Sequence, residues 1–219
     1  MGESGFLIKF GKLKHLLQLQ NEGLLYMNPP QYFWDVEDAD RGDPFDCIAK
    51  VHRGPKILFP LPSGKQVSME GEWTLRIPPP EHAEINIFCM YALRALVGSF
   101  PVDERNFRFG AHALVVLNVA EFLRRTEFTL KSKRISGDGN LVEYVDDKHV
   151  GDLGPFRKFR KFAYQSEWRL VCNNGPAGHR GIRIGSIADI SVIIRSKEVN
   201  KEISVDFGDF KQVAEPDRP

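Results

Sequence analysis

The spacing of apolar residues changes from strand-like to helix-like and back near the start of the chain. "FLIKF" (Phe6 to Phe10) is a short apolar run with Lys9 near its end and suits a strand. "KLKHLLQLQNEGLLY" places Leu13, Leu16, Leu17 and Leu24 at near-helical spacing, with Gly23 positioned to stop the helix. "LLYMNPP" then reads as a second strand closed by Pro29 and Pro30. "EINIFCMYAL" (Glu84 to Leu93) and "HALVVLNV" (His112 to Val119) have β-branched and aromatic centres that predict strands, and "AEFLRRT" a short helix after them. "LVEYVD" (Leu141 to Asp146) predicts another strand after a turn at "SGDGN". Phe156, Phe159, Phe162 and Ala163 recur at three and four residues behind Pro155, which predicts a short helix. "EWRLVC", a Gly-rich loop and "GIRI" read as a hairpin, and "ISVIIR" as one more strand.

Between these elements, "DVEDADRGDPFD" (Asp35 to Asp46) holds six acids with Gly and Pro and reads as a loop. Residues of about 52–82 are rich in Gly and Pro and predict an excursion with little core of its own. The order of elements predicts an α+β fold, a largely antiparallel sheet with short flanking helices, in one domain of 219 residues.

Composition narrows the partners. At 42% hydrophobic, 27% charged and a net charge of +1, the chain is neither disordered nor a uniformly basic coat for nucleic acid. Three scattered cysteines (Cys47, Cys89, Cys172) give neither a disulfide framework nor a zinc ribbon. No apolar run approaches the roughly 18 residues of a spanning helix, and "MGESGFLIKFGK" lacks a signal-peptide pattern, so the expectation is cytoplasmic with no membrane partner. No metal site is expected: the histidines show no paired spacing, and "DADRGD" lacks the closing Glu of a calcium loop. "GDGNLV" lacks the third Gly of a dinucleotide fingerprint and reads as a turn. Any NAD here requires a cleft of another kind.

The chemistry concentrates at "FAYQSEWRL". As a strand, residues 165–172 put Trp168, Leu170 and Cys172 on one face and Gln165, Glu167 and Arg169 on the other. The polar face is either solvated or the wall of a cleft. A carboxylate aimed at a sugar hydroxyl stabilises an oxocarbenium-like ribose as a glycosidic bond breaks. "FRKFRKF" is either an amphipathic helix with a solvated basic face or a phosphate-contacting patch, aided by Arg124, Arg125, Lys131, Lys133 and Arg134. In "GDPFDC", Pro44 and Phe45 read as a turn plugging the core, with Asp43 and Asp46 as second-tier site candidates.

Together, "FLIKFGKLKHLL", "GLLYMNPP", "GDPFDC", "INIFC", "LVEYVD" and "FRKFAYQSEWRLV" resemble an uncharacterised family of bacterial domains. That family has an aromatic and basic first strand, an Asp-Pro-Phe-acid motif and a closing acid-x-Glu-aromatic-Arg strand. It is similar to ADP-ribosyltransferases, including phage-defence toxins that modify nucleic acid, and the likeness runs from Phe6 to about Val171. The resemblance implies an ADP-ribosyltransferase-like split sheet and NAD as the substrate. It implies Glu167 as the catalytic glutamate, Gln165 as the residue that orients the acceptor, and Lys9, Phe10, Tyr91 and Arg169 as cofactor contacts. It further implies a toxin-like or defence-related role, a nucleic-acid acceptor reached through basic segments 124–134 and 157–161, and a neutralising antitoxin. Where that superfamily carries a Ser-Thr-Ser motif, "FCMYAL" offers Cys89 and Tyr91. Two other readings stand beside it: a non-catalytic nucleotide- or RNA-binding module of the same fold, and a metal-dependent nuclease using Asp43, Asp46 and Glu167.

Overall fold

The computed structural model describes residues 5–36, 42–94 and 100–203. Its elements run β1 (Gly5–Gly11), α1 (Leu13–Glu22), β2 (Leu24–Met27), α2 (Pro30–Asp35), β3 (Lys50–Pro60), β4 (Gln66–Ile77), β5 (Asn86–Arg94), β6 (His112–Val116), α3 (Val119–Ser132), β7 (Gly137–Leu141), β8 (Glu143–Val145), β9 (Gly151–Asp152), β10 (Arg157–Phe159), β11 (Glu167–Cys172), β12 (Arg180–Arg183), β13 (Ser191–Arg195) and α4 (Val199–Glu202), with short 3-10 turns between them. The fold is α+β. Its main sheet has six strands in the order β13-β6-β1-β5-β11-β7, every neighbouring pair antiparallel.

Both faces of this sheet are covered, which is why its central strands read as continuous apolar runs rather than as alternating ones. On one face Leu7, Phe88, Met90, Leu114, Trp168 and Leu170 meet Leu16 and Leu19 of α1 and Phe122 of α3. On the other, Ile8, Phe10, Tyr91, Leu93 and Val115 pack with Val102 and Val199. Helix α1 ends on Gly23 in the left-handed region, as its sequence predicts; Leu16 and Leu19 form its buried stripe, while Leu13 and Leu17 are exposed. Among the described residues no helix is long and apolar enough to cross a membrane.

Three local expectations are corrected. "SGDGN" is not a turn: residues from Gly137 form β7, paired with β11, and a Cβ on Gly139 would lie 2.9 Å from the Trp168 ring. The glycine serves close approach to an indole, so "LVEYVD" is divided between the end of β7 and β8. The expected helix after Pro155 is instead β10, parallel to β8, followed by a 3-10 turn over Arg160–Gln165. The three-residue spacing is real, but it belongs to the tighter helix, whose three residues per turn put Phe162 and Gln165 on its inner side. Strand β12 pairs with β2 rather than folding back on β11, because β5 and β7 already hold both edges of β11. The Gly/Pro-rich excursion, by contrast, is as expected, and takes the form of a long hairpin of β3 and β4 with a register shift between Gly54 and Lys56 around Pro55. It does carry little core: Val51 is buried at its base, and the distal half is largely exposed.

Of the expected acid-rich loop, Asp35 instead closes α2, and Glu37, Asp38 and Asp40 lie outside the described residues, which resume at residue 42. From there the chain makes the expected turn. Asp43 Oδ1 accepts from the Phe45 amide at 2.9 Å, and Phe45 packs edge-on against Phe159. This fixes Asp46 against the end of the sheet.

Candidate functional site

Glu167 is the first residue of β11, and its preceding residue sets its aim. Ser166 sits in the left-handed region (φ 38°), unusual for a side chain with a Cβ. It is held there from β5: the Ser166 hydroxyl donates to the Ala92 carbonyl at 2.8 Å, and the Ala92 amide donates to the Ser166 carbonyl at 2.6 Å. The kink ends the 3-10 turn and starts the strand. It brings Gln165 and Glu167 to a common partner, the Lys158 ammonium of β10, at 2.8 and 3.1 Å.

Strand register then adds Arg169 on the same face, opposite Cys89, with Tyr91 opposite Glu167. The Arg169 side chain is fully buried (0% exposed) and every nitrogen is used. Its Nε and Nη2 donate to Glu167 Oε1 at 3.0 and 2.8 Å, and Nη1 donates to Asp46 Oδ1 at 2.7 Å and to the Pro155 carbonyl at 2.6 Å. Lys158 closes the ring with an ion pair to Asp46 Oδ2 at 3.4 Å. The result is a buried network of two cations and two carboxylates joining β10, β11 and the Asp43–Cys47 turn.

Its charge states follow from proximity. Burial alone would raise the Glu167 carboxyl, but Arg169 and Lys158 outweigh it and hold Glu167 well below the usual carboxylate range, with a hydrogen bond from the Cys89 thiol adding to their effect. Arg169 and Lys158 are likewise held cationic against burial by Asp46 and Glu167. Asp43 behaves differently. Burial and the neighbouring Asp46 raise it to about 6, Lys158 offsetting only part, and its Oδ2 is buried without a hydrogen-bond partner. Burial pushes the Cys89 thiol up to about 12, with Glu167 adding to the rise, so it stays protonated.

The residues singled out in the sequence divide accordingly. Glu167, Gln165, Arg169 and Asp46 come together, with Asp43 at the edge of the cluster. The polar strand face is buried, not solvated, with Glu167 6% exposed. Tyr91 and Phe10 stand on the same side of the sheet, their rings edge to face at 6.4 Å, and the Tyr91 hydroxyl hydrogen-bonds with Ser166. Lys9 does not join them. It follows Ile8 on β1, so alternation turns it to the opposite face, where its ammonium lies 4.6 Å from the Phe88 ring centre and donates to the Cys89 carbonyl at 2.6 Å. Among the described residues, no group of three or more His, Cys, Asp or Glu is placed to hold a metal ion.

Two members were not anticipated. Lys158 was one cation among four in a basic stripe, and the helical spacing of its Phe neighbours hid that a strand would turn it inward. Tyr144 of β8 accepts the Glu167 amide on its hydroxyl at 2.9 Å, and nothing in "LVEYVD" marked it. In the remaining basic segments four residues are ion-paired at the surface: Arg124 and Arg125 with Glu121, Arg125 also with Asp189, Lys131 with Glu127, and Arg157 with Glu143.

Comparison with known proteins finds no family model, no curated protein and no solved structure that matches this chain.

Proposed function

We propose that the protein is an NAD-dependent mono-ADP-ribosyltransferase of ADP-ribosyltransferase-like split-sheet fold, with Glu167 as its catalytic carboxylate. The observation that carries this is the state of Glu167: ionised, oriented by Arg169, sheltered from water, and joined through Lys158 to the amide of Gln165 two residues before it. A fixed negative charge in a site of low dielectric is what a developing ribosyl cation requires. The glycosidic C–N bond breaks with its electron pair going to nicotinamide, which leaves neutral and needs no general acid. The acceptor then forms the new bond to the ribose carbon and gives up its proton to solvent.

In this reading Gln165 orients the acceptor. Phe10 and Tyr91, buried in the core on the Glu167 side of the sheet, brace the site from beneath, and Arg169 is a positioning residue for Glu167 rather than a cofactor contact. Lys158 covers Glu167 Oε2 and leaves it when a dinucleotide pyrophosphate takes the ammonium. Lys9, on the far face, has no part. A nucleic-acid acceptor, a defence role, an antitoxin and a cytoplasmic location rest on the resemblance; the ion pairing of Arg124, Arg125, Lys131 and Arg157 adds nothing to them.

One observation favours a second reading, a non-catalytic module. Arg169 and Lys158 already engage both oxygens of Glu167, as in a purely structural network. Incubation with NAD labelled in its ADP-ribose moiety, alone and with RNA, DNA or protein lysate, separates the two. The enzyme reading predicts nicotinamide release and label on one acceptor class, lost in Glu167→Gln and reduced in transfer but not in NAD cleavage in Gln165→Ala. No NAD loss and no label with any acceptor overturns it.

A further inference from the structure

The hairpin of β3 and β4 presents an apolar face with nothing of this chain behind it. Cross-strand pairing sets Ile57 opposite Met69 and Phe59 opposite Val67, so these four side chains share one side of the ribbon. Phe59, Val67 and Met69 are 44%, 45% and 59% exposed. The other side is mixed, with Lys56 opposite Glu70, Leu58 opposite Ser68 and Pro60 opposite Gln66. A two-stranded ribbon with an uncovered apolar face is marginal on its own, and a free strand edge is a template for another strand. Here β4 pairs only with β3, which leaves its outer edge unpaired among the described residues.

We infer that this edge is a self-association surface: the Gln66–Glu70 segment of β4 pairs antiparallel with the same segment of a second copy of this chain across a two-fold axis at Ser68. The choice of a second copy follows from symmetry and charge. A two-fold axis normal to the ribbon keeps the apolar faces of both copies on one side, provided each residue pairs with one of the same facing. Centring on Ser68 satisfies this. It sets Val67 against the partner's Met69, and Gln66, an amide donor, against the partner's Glu70. No like charges are opposed. The ladder also ends before Gly71 (φ 128°), where β4 shifts its register against β3. Two ribbons joined this way make a four-stranded sheet with eight apolar side chains on one face. The contact is small beside the roughly 1,200–2,000 Å² of a stable interface, so the dimer is concentration-dependent.

Cysteine trapping on the full chain tests this. In the paired register the two Ser68 Cα atoms are about 4.5–5.5 Å apart, within the range a disulfide spans. Ser68→Cys should therefore give a covalent dimer under mild oxidation. Thr74→Cys, exposed on the same strand but far from the axis, should trap no more than the wild-type protein, whose Cys47 and Cys172 are buried and Cys89 partly so. Sedimentation of the reduced wild-type protein should show a dimer fraction that rises with concentration and disappears in the Val67→Lys, Met69→Lys double variant, whose changes lie on exposed positions. Equal trapping of Ser68→Cys and Thr74→Cys, or a monomer at every concentration together with no Ser68→Cys dimer, overturns the inference.

Discussion

Replacing Arg169 by leucine probes the buried network most severely. The guanidinium has no exposed surface and donates to Glu167, Asp46 and the Pro155 carbonyl. Leucine fills part of its volume and leaves Asp46 and Glu167 with Lys158 between them. Breaking a buried ion pair by removing one partner costs about 3–5 kcal/mol. That is a large share of the about 5–15 kcal/mol by which a domain is stable. With a urea slope of about 2–3 kcal/mol per molar, the unfolding midpoint should fall by about 1–2.5 M. The deficit should also shrink on going from about pH 7.5 to about pH 5, because carboxylates that have lost their cation acquire raised folded-state pKa values and take up protons there. A midpoint within about 0.3 M of wild type, or a deficit equal at both pH values, would refute the placement of these charges in a dry network.

Two further substitutions isolate single members of the cluster. Asp43→Asn keeps the Oδ1 acceptor for the Phe45 amide and removes a carboxyl raised to about 6 in the folded chain from an ordinary value of 3.8. A raised folded-state pKa favours folding at low pH, and that contribution is lost as pH rises through about 6. The variant should therefore be more stable than wild type at about pH 7.5, by up to about 3 kcal/mol, with the difference vanishing towards about pH 4; chemical denaturation at the two pH values checks this, and no gain at the higher one sinks it. Tyr144→Phe deprives the Glu167 amide of its acceptor and should cost about 1–3 kcal/mol in the same assay; an unchanged midpoint would show that the amide has another partner.

The apolar pattern was the more legible part of the fold. Strands β1, β5, β6 and β13 and helix α1 could be read directly, because continuous apolar runs and a terminal glycine report local structure and burial together. The misread segments are those where a residue type serves two purposes. Gly139 signals a turn in sequence, yet its role is to pass a strand over Trp168. Phe159 and Phe162 carry a helical spacing that a strand followed by a 3-10 turn satisfies equally. Glu167, Gln165 and Arg169 could be grouped by alternation alone. Their burial could not, since it depends on Asp46, 121 positions before Glu167, arriving from the other end of the chain. Lys158 was hidden differently: Gln165 and Glu167 lie only seven and nine residues on, but the helical reading of its Phe neighbours kept it off a strand, and its third partner, Asp46, is distant. A charged side chain turns inward only where partners await it, and sequence spacing does not encode the distant one, Asp46, that completes this set.

The claim that Glu167 is a catalytic carboxylate is tested most directly by nicotinamide release from NAD, measured side by side for wild type and Glu167→Gln, with thermal unfolding of each sample recorded. The account predicts measurable release by wild type and loss of about two orders of magnitude or more in the variant while it remains folded at the assay temperature. Equal release by both proteins, or no release by wild type with any acceptor present, would contradict it.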